Sequence, residues 1–252
     1  MNISWDAAGY EKGFLLVPAY GRGVIDLIDA RPGATCLDLG CGNGALTVEL
    51  RRRGLDAFGT DASAEMIELA RARHPDLRFV RADATNFTLD EPIDVVFSNA
   101  MLHWIDREKH PDALACVSAA LAPRGQLVFE RGGRDCCARI HGALARVLIV
   151  ARGRGYEILF WFPTVGEHAP LVEAAGLRVT HAELFDRPTK LAGSEGRADW
   201  IHLFVKRPFA DVPADEADAI VTEAMNDLRG ECCQDGVWHA DYARLRMRAV
   251  QA

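Results

Sequence analysis

The residues of this chain able to do chemistry fall at the ends of short apolar runs. Thr35-Cys-Leu-Asp38-Leu39 runs into Gly40-Cys41-Gly42-Asn43-Gly44, a turn with a glycine at every second position and a carboxylate two residues ahead of the first. Glycines spaced this way let the backbone turn sharply and approach a ligand closely. The N–H groups that open the following helix, Ala45 to Arg53, face the same space. Asp61, in Gly-Thr-Asp61-Ala62-Ser63, follows the next run, where a parallel α/β sheet places an acid that accepts from both hydroxyls of an unphosphorylated ribose. Asp83, with Ala84 beside it, follows the third run and can accept from the exocyclic amine of an adenine. Asn99-Ala100, then His103-Trp104, follow the fourth run, and Glu130 ends the fifth. Two of these side chains suit proton abstraction. His103 titrates near neutral pH, and Glu130 is a carboxylate at a strand end. A helix cap at Asp61 or Ser63 accounts for one such residue taken singly. Polar groups at successive strand ends of a parallel sheet instead open onto one crevice.

The elements that must hold them alternate between β-rich and helical runs from residue 34 to residue 130, the pattern of a parallel sheet with crossover helices. Strands are expected at Thr35 to Leu39, Ala57 to Thr60, Leu77 to Arg81, Ile93 to Ser98 and Gln126 to Glu130. Helices are expected from the Ser63 cap through Glu65, Met66, Leu69 and Ala70, and over Pro111 to Leu121. From Arg131 to Thr164 the pattern loosens, with glycines at 132, 133, 153 and 155 and an aromatic cluster at Tyr156, Phe160, Trp161 and Phe162. Helix Gly166 to Ala175 and strand Leu177 to Phe185 restore the rhythm. Residues 195 to 235 carry helical stretches, including Ala214 to Arg229, and read as an insertion or cap. Tyr242 to Val250 alternates, with Ala243, Leu245, Met247 and Ala249 on one face and Arg244, Arg246 and Arg248 on the other. That is an antiparallel or edge strand with one polar face. The chain thus divides into an N-terminal helical segment over 1–32, an α/β core over 33–194, the cap over 195–235 and a final core strand over 236–252.

Bulk properties narrow the function. A formal charge of −7, from 29 basic and 36 acidic residues, leaves no electrostatic footprint for nucleic acid or an anionic membrane. No apolar run reaches the roughly 18 residues of a membrane span, and Asp6, Glu11 and Lys12 break the layout of a signal peptide, so a cytoplasmic protein is expected. Seven cysteines include the pairs Cys136-Cys137 and Cys232-Cys233 but no C-x-x-C, against a disulfide framework or a zinc ribbon. Most are expected to be buried thiols, with no metal.

Asp61 for a ribose, Asp83 for an adenine and Asp38 for a charged amino acid portion together suggest S-adenosylmethionine. The glycine spacing G-x-G-x-G departs from the G-x-G-x-x-G of nicotinamide dinucleotide sites. On these residues the sequence resembles the class I S-adenosylmethionine-dependent methyltransferases. Asp38 to Gly44 matches their glycine motif, Asp61 the ribose acid, Asp83 the adenine-side acid, and Ser98-Asn-Ala-Met-Leu-His-Trp104 the motif after strand four. Phe185-Asp-Arg-Pro-Thr189 and Asp199-Trp-Ile201 are similar to the branch that contains trans-aconitate methyltransferase. The resemblance implies a doubly wound, seven-stranded Rossmann-like sheet whose last strand is antiparallel. It also implies cofactor contacts at Asp38, Gly40, Cys41, Gly42, Asn43, Gly44, Asp61, Ala62, Met66, Asp83, Ala84, Asn99 and Ala100. The product would be S-adenosylhomocysteine.

The expected acceptor is a small molecule, with His103 and Glu130 as candidate catalytic bases and Trp5, Tyr10, Trp104, Tyr156 and Trp161 as candidate acceptor contacts. Trp5 and Tyr10 belong to a segment that resembles the lid closing over cofactor in many such enzymes. No triad of basic residues stands out for a tricarboxylate, and the aromatic cluster suggests an apolar pocket. A cofactor-binding regulatory or sensor protein without transferase activity is the alternative.

Overall fold

A computed structural model describes residues 23–191, 196–205 and 207–251. Its strands are β1 Thr35–Leu39, β2 Asp56–Asp61, β3 Phe79–Arg81, β4 Ile93–Asn99, β5 Leu121–Gly132, β6 Leu177–Lys190, β7 Cys233–Gln234 and β8 Val237–Gln251. Its helices are α1 Ala45–Arg52, α2 Ala64–Arg73, α3 His110–Ala120, α4 Ala138–Arg146, α5 Val165–Ala174, α6 Gly196–Phe204 and α7 Ala214–Cys232. The main sheet runs β3-β2-β1-β4-β5-β8-β6. β1 to β5 are parallel, while β8 lies antiparallel between β5 and β6. The expected seven-stranded doubly wound sheet is therefore present, and β7 adds a short hairpin to β8 across Asp235-Gly236. Both turn residues have positive φ, 49° and 76°, the conformation that twists a two-residue hairpin correctly.

Burial on both sides explains why β1, β4 and β5 read as near-continuous apolar runs. One face packs Leu37, Val96, Leu127, Phe129 and Met247 against Leu114 and Val117 of α3 and Val172 of α5. The other packs Cys36, Val95, Phe97 and Val128 against Leu46 and Leu50 of α1 and against Val24 and Ile25. Strand order reverses between β1 and β4, with β2 and β3 on one side and β5 on the other, and such a switch point opens a crevice at the strands' C-terminal ends.

Two expectations change. The stretch from Arg131 to Thr164 is not simply loose, because it holds α4 and a π-helical turn over Val147–Ala151. Ile140, Ala143, Leu144 and Val147 lie at helical spacing and are all buried. The cap is larger than the 195–235 insertion. Its core joins Ile140 and Leu144 of α4 to Trp200 and Ile201 of α6, Ile220 and Met225 of α7, and Trp238 and Ala240 of β8. β6 and β8 are correspondingly longer than their alternating segments, pairing as far as Lys190 with His239 and so carrying the sheet into the cap. No helix among the described residues is long and apolar enough to cross a membrane.

Candidate active site

At the switch point, the N–H groups of Gly40 and Cys41 donate to the Thr60 carbonyl at 2.7 and 2.9 Å, which folds the glycine turn over the end of β2. Gly40 has φ +79°, and a Cβ there would lie 2.4 Å from the Cβ of Met101, so only glycine fits. A Cβ on Gly42 would meet nothing within 4 Å, which leaves an open cradle beside the turn.

Carboxylates line that cradle. Gly42 N–H donates to Asp61 Oδ2 at 3.0 Å and Ser63 N–H donates to Oδ1 at 2.9 Å. The cap of α2 is Ser63, whose hydroxyl accepts from Met66 N–H at 3.2 Å. Asp61 is thereby released from capping and keeps acceptor capacity toward the crevice. Burial raises its pKa, against the opposing effect of the Ser63 and Gly42 N–H groups. Asp38 is 1% exposed. Its Oδ2 accepts from Thr47 Oγ1 at 2.6 Å, while Oδ1 is buried with no partner. Burial chiefly, with Asp61 adding to it and Thr47 opposing, raises its pKa to about 7.

Asn99 is buried at the end of β4, and Ser98 Oγ ties that end to the Leu39 carbonyl of β1 at 2.8 Å. Asp83 forms an Asx turn, accepting from Thr85 N–H and Oγ1 at 2.9 and 2.8 Å, and these bonds lower its pKa. Cys41, Met66 and Ala84 are buried, with at most 8% exposure. An orphaned carboxylate oxygen, an open glycine cradle and a ribose-facing acid fit the amino acid and nucleoside ends of S-adenosylmethionine.

Beyond Asn99 the wall becomes aromatic. His103 packs on Trp104, Phe160 and Phe162 at centroid distances of 5.6, 5.8 and 5.9 Å, and Trp104 meets Phe160 edge-on at 4.7 Å. His103 Nδ1 accepts from Gly132 N–H at 3.4 Å. Burial first, then the charges of Arg244 and Arg131, hold its pKa well below the ordinary range, so the imidazole is neutral and its proton sits on Nε2. Tyr156 joins this wall through a 2.5 Å hydrogen bond between its hydroxyl and His141 Nδ1.

Three expectations about this region are corrected. Trp161 turns away from the wall and packs on His110 at 4.4 Å, His168 at 5.4 Å and the Arg131 guanidinium at 4.8 Å. Glu130, 2% exposed, is bonded by Arg187 and by Arg246, the latter at 2.8 and 3.1 Å, and so is not a free base. The pocket is also not simply apolar. Arg244 stacks on Tyr242 at 4.2 Å and reaches the same end of the sheet. These arginines had one sequence signal, the Arg244-Arg246-Arg248 row on a single strand face. Trp5 and Tyr10 lie outside the described residues. Among the described residues, no group of three or more His, Cys, Asp or Glu side chains is placed to hold a metal ion.

Comparison with known proteins agrees with this geometry. Residues 36–125 match the family described as "Methyltransferase domain". The chain is 30% identical to an uncharacterized methyltransferase of Schizosaccharomyces pombe over 97% of both chains. It is 31% identical to a trans-aconitate 2-methyltransferase of Methylobacterium nodulans, covering 85% of this chain and 84% of that one. An S-adenosylmethionine-dependent methyltransferase structure from Mesorhizobium loti shares the fold, with a TM-score of 0.56 and 19% identity over 92% of this chain and 98% of that chain. The chain belongs to the class I S-adenosylmethionine-dependent methyltransferases, and S-adenosylmethionine is its cofactor.

Proposed function

We propose that this methyltransferase acts on a small-molecule acceptor held where the aromatic wall meets the ends of β4 and β5. The observation that carries the cofactor half is the convergence of Asp38, Gly42, Asp61 and Asn99 at one switch point. In this reading Asp38 Oδ1 receives the cofactor's ammonium, Asp61 its ribose hydroxyls and Asp83 its adenine amine. Gly40 to Gly44, with Ala62, Met66, Ala84 and Ala100, shape the walls. When bound, the cofactor supplies a methyl group already activated for in-line displacement, so the protein's contribution is alignment and exclusion of water. His103, Trp104, Phe160 and Phe162 provide that dry surface. Because Nδ1 of His103 is occupied by Gly132 N–H, this residue serves as a donor in place of the base expected from the sequence, its Nε2–H orienting the acceptor. Glu130 is saturated by arginines, so the acceptor's nucleophile enters already deprotonated. Relatives named trans-aconitate 2-methyltransferase support a small acceptor.

Calorimetric titration with S-adenosylmethionine tests the site. Asp61→Ala is expected to weaken binding by about a hundredfold, from two charge-assisted hydrogen bonds at roughly 1.5 kcal/mol each. Undiminished binding would overturn the assignment. S-adenosylhomocysteine formed only with macromolecular acceptors would overturn the small-molecule reading, and binding without turnover on any acceptor would favour a sensor.

A further inference from the structure

Gly132 is the meeting point of several groups the methyl-transfer geometry leaves unexplained. Its N–H holds His103 Nδ1, and a Cβ on it would lie 2.4 Å from the Phe162 ring and 3.4 Å from Cys136 Sγ. Across the antiparallel ladder it pairs with Arg244, so the Arg244 side chain rises from the same face of the sheet. That places one guanidinium beside the aromatic wall.

Arg244 is held without a carboxylate of its own. One side of it lies on the Tyr242 ring at 4.2 Å, and Tyr242 is itself fixed by a 2.6 Å bond from Trp200 Nε1. Its Nε is buried with no acceptor, and among the described residues it forms no ion pair. The carboxylate near it, Glu130, is already shared by Arg187 and Arg246, which also lie over the Phe185 ring at 5.4 and 5.1 Å. Cys136 presents a sulfur and no carboxylate, its pKa lowered by a hydrogen bond from Cys137 and, against burial, by the Arg244 charge. A half-buried guanidinium whose buried Nε lacks an acceptor is costly to maintain, and its planar fork matches a carboxylate in geometry.

Resting on the methyltransferase reading, we propose that Arg244 anchors a single carboxylate of the methyl acceptor, whose apolar or aromatic body lies against His103, Phe160 and Phe162. The number of anions follows from the commitments of the neighbours. Arg187 and Arg246 are tied to Glu130, and Arg131 donates to the Trp161 carbonyl and meets His110 and His168, so one fork is open and the site fits a monocarboxylate and not a tricarboxylate.

The cofactor's own carboxylate presents the same chemistry, and the test separates the two. Full-length protein is first titrated with S-adenosylhomocysteine; failure to bind would sink the functional reading itself. The saturated complex is then titrated with benzoate, phenylacetate and cinnamate, their amides, and citrate. At least one monocarboxylate is expected to bind, about tenfold or more tighter than its amide and than citrate. Arg244→Met is expected to lose about tenfold of that affinity while S-adenosylhomocysteine affinity changes less than about twofold, which also reports that the variant is folded. Should Arg244→Met not fold, Arg244→Lys serves, keeping the charge but losing the fork and part of the affinity. Absence of monocarboxylate binding, citrate binding as tightly, full carboxylate affinity in the Arg244 variant, or a loss confined to S-adenosylhomocysteine would each overturn the proposal.

Discussion

Binding of the cofactor is predicted to expel a proton from Asp38, and the size of the effect follows from its burial. With a pKa of about 7 in the free protein, the carboxyl is about 0.9 protonated at pH 6 and about 0.2 protonated at pH 7.5. An ammonium placed against Oδ1 favours the ionised form, because opposite charges in a buried site interact strongly. Cofactor binding at pH 6 should then release about 0.9 proton, falling to about 0.2 at pH 7.5, and affinity should rise about eightfold between these values. Titration of S-adenosylhomocysteine in buffers of different ionisation enthalpy reads the released proton directly. In Asp38→Asn the release should vanish, and affinity at pH 7.5 should fall by about 1.5–3 kcal/mol, the range for a hydrogen bond to a charged group. Release that is flat across this pH range, or that persists in Asp38→Asn, would refute the assignment of Asp38 to the ammonium.

Removing the Glu130 charge in Glu130→Gln leaves two largely buried guanidiniums without their carboxylate, with Arg187 and Arg246 side chains only 15% and 17% exposed. A loss of about 3–5 kcal/mol is expected by urea denaturation, and a loss below about 1 kcal/mol would refute a structural role. Gly40→Ala forces a Cβ within 2.4 Å of Met101 at positive φ, so stability should drop by about 1–3 kcal/mol and cofactor affinity with it; an unchanged melting temperature would contradict the strained turn. The His110 pKa is lowered to about 3 by burial first and by Arg131 second. The unfolded chain therefore takes up a proton near 6.5 that the fold refuses, and stability falls as pH drops below that value. His103, His141 and His168 are lowered in the same direction, so the His110 share is read by difference: between pH 7 and pH 5 the wild type should lose about 2 kcal/mol more unfolding free energy than His110→Gln, and equal losses would contradict a neutral His110.

The cofactor crevice was legible in the sequence because each of its residues lies at or just past the C-terminal end of the strand that positions it. Asp38, Asp61, Asp83 and Asn99 needed only the inference of a parallel sheet, and that sheet announces itself through strands buried on both faces. The acceptor side depends on pairings distant in the chain. Arg187 reaches Glu130 across 57 positions and Arg246 across 116, through the β5-β8-β6 ladder. Nothing local distinguishes these arginines from the solvated face of an edge strand. Trp161 illustrates a finer limit, since Phe160 and Phe162 face His103 while the residue between them faces Arg131. Helix α4 was hidden by Gly132, Gly133 and the left-handed Cys137 that precede it, although its buried residues keep helical spacing.

A crystal structure of the protein with S-adenosylhomocysteine would show which end of the cofactor each carboxylate holds. The ribose hydroxyls are expected on Asp61, the adenine beside Asp83, the homocysteine ammonium on Asp38 Oδ1 against Gly40 to Gly42, and the sulfur turned toward His103. A nucleoside bound end for end in the crevice, or bound elsewhere on the sheet, would contradict this placement.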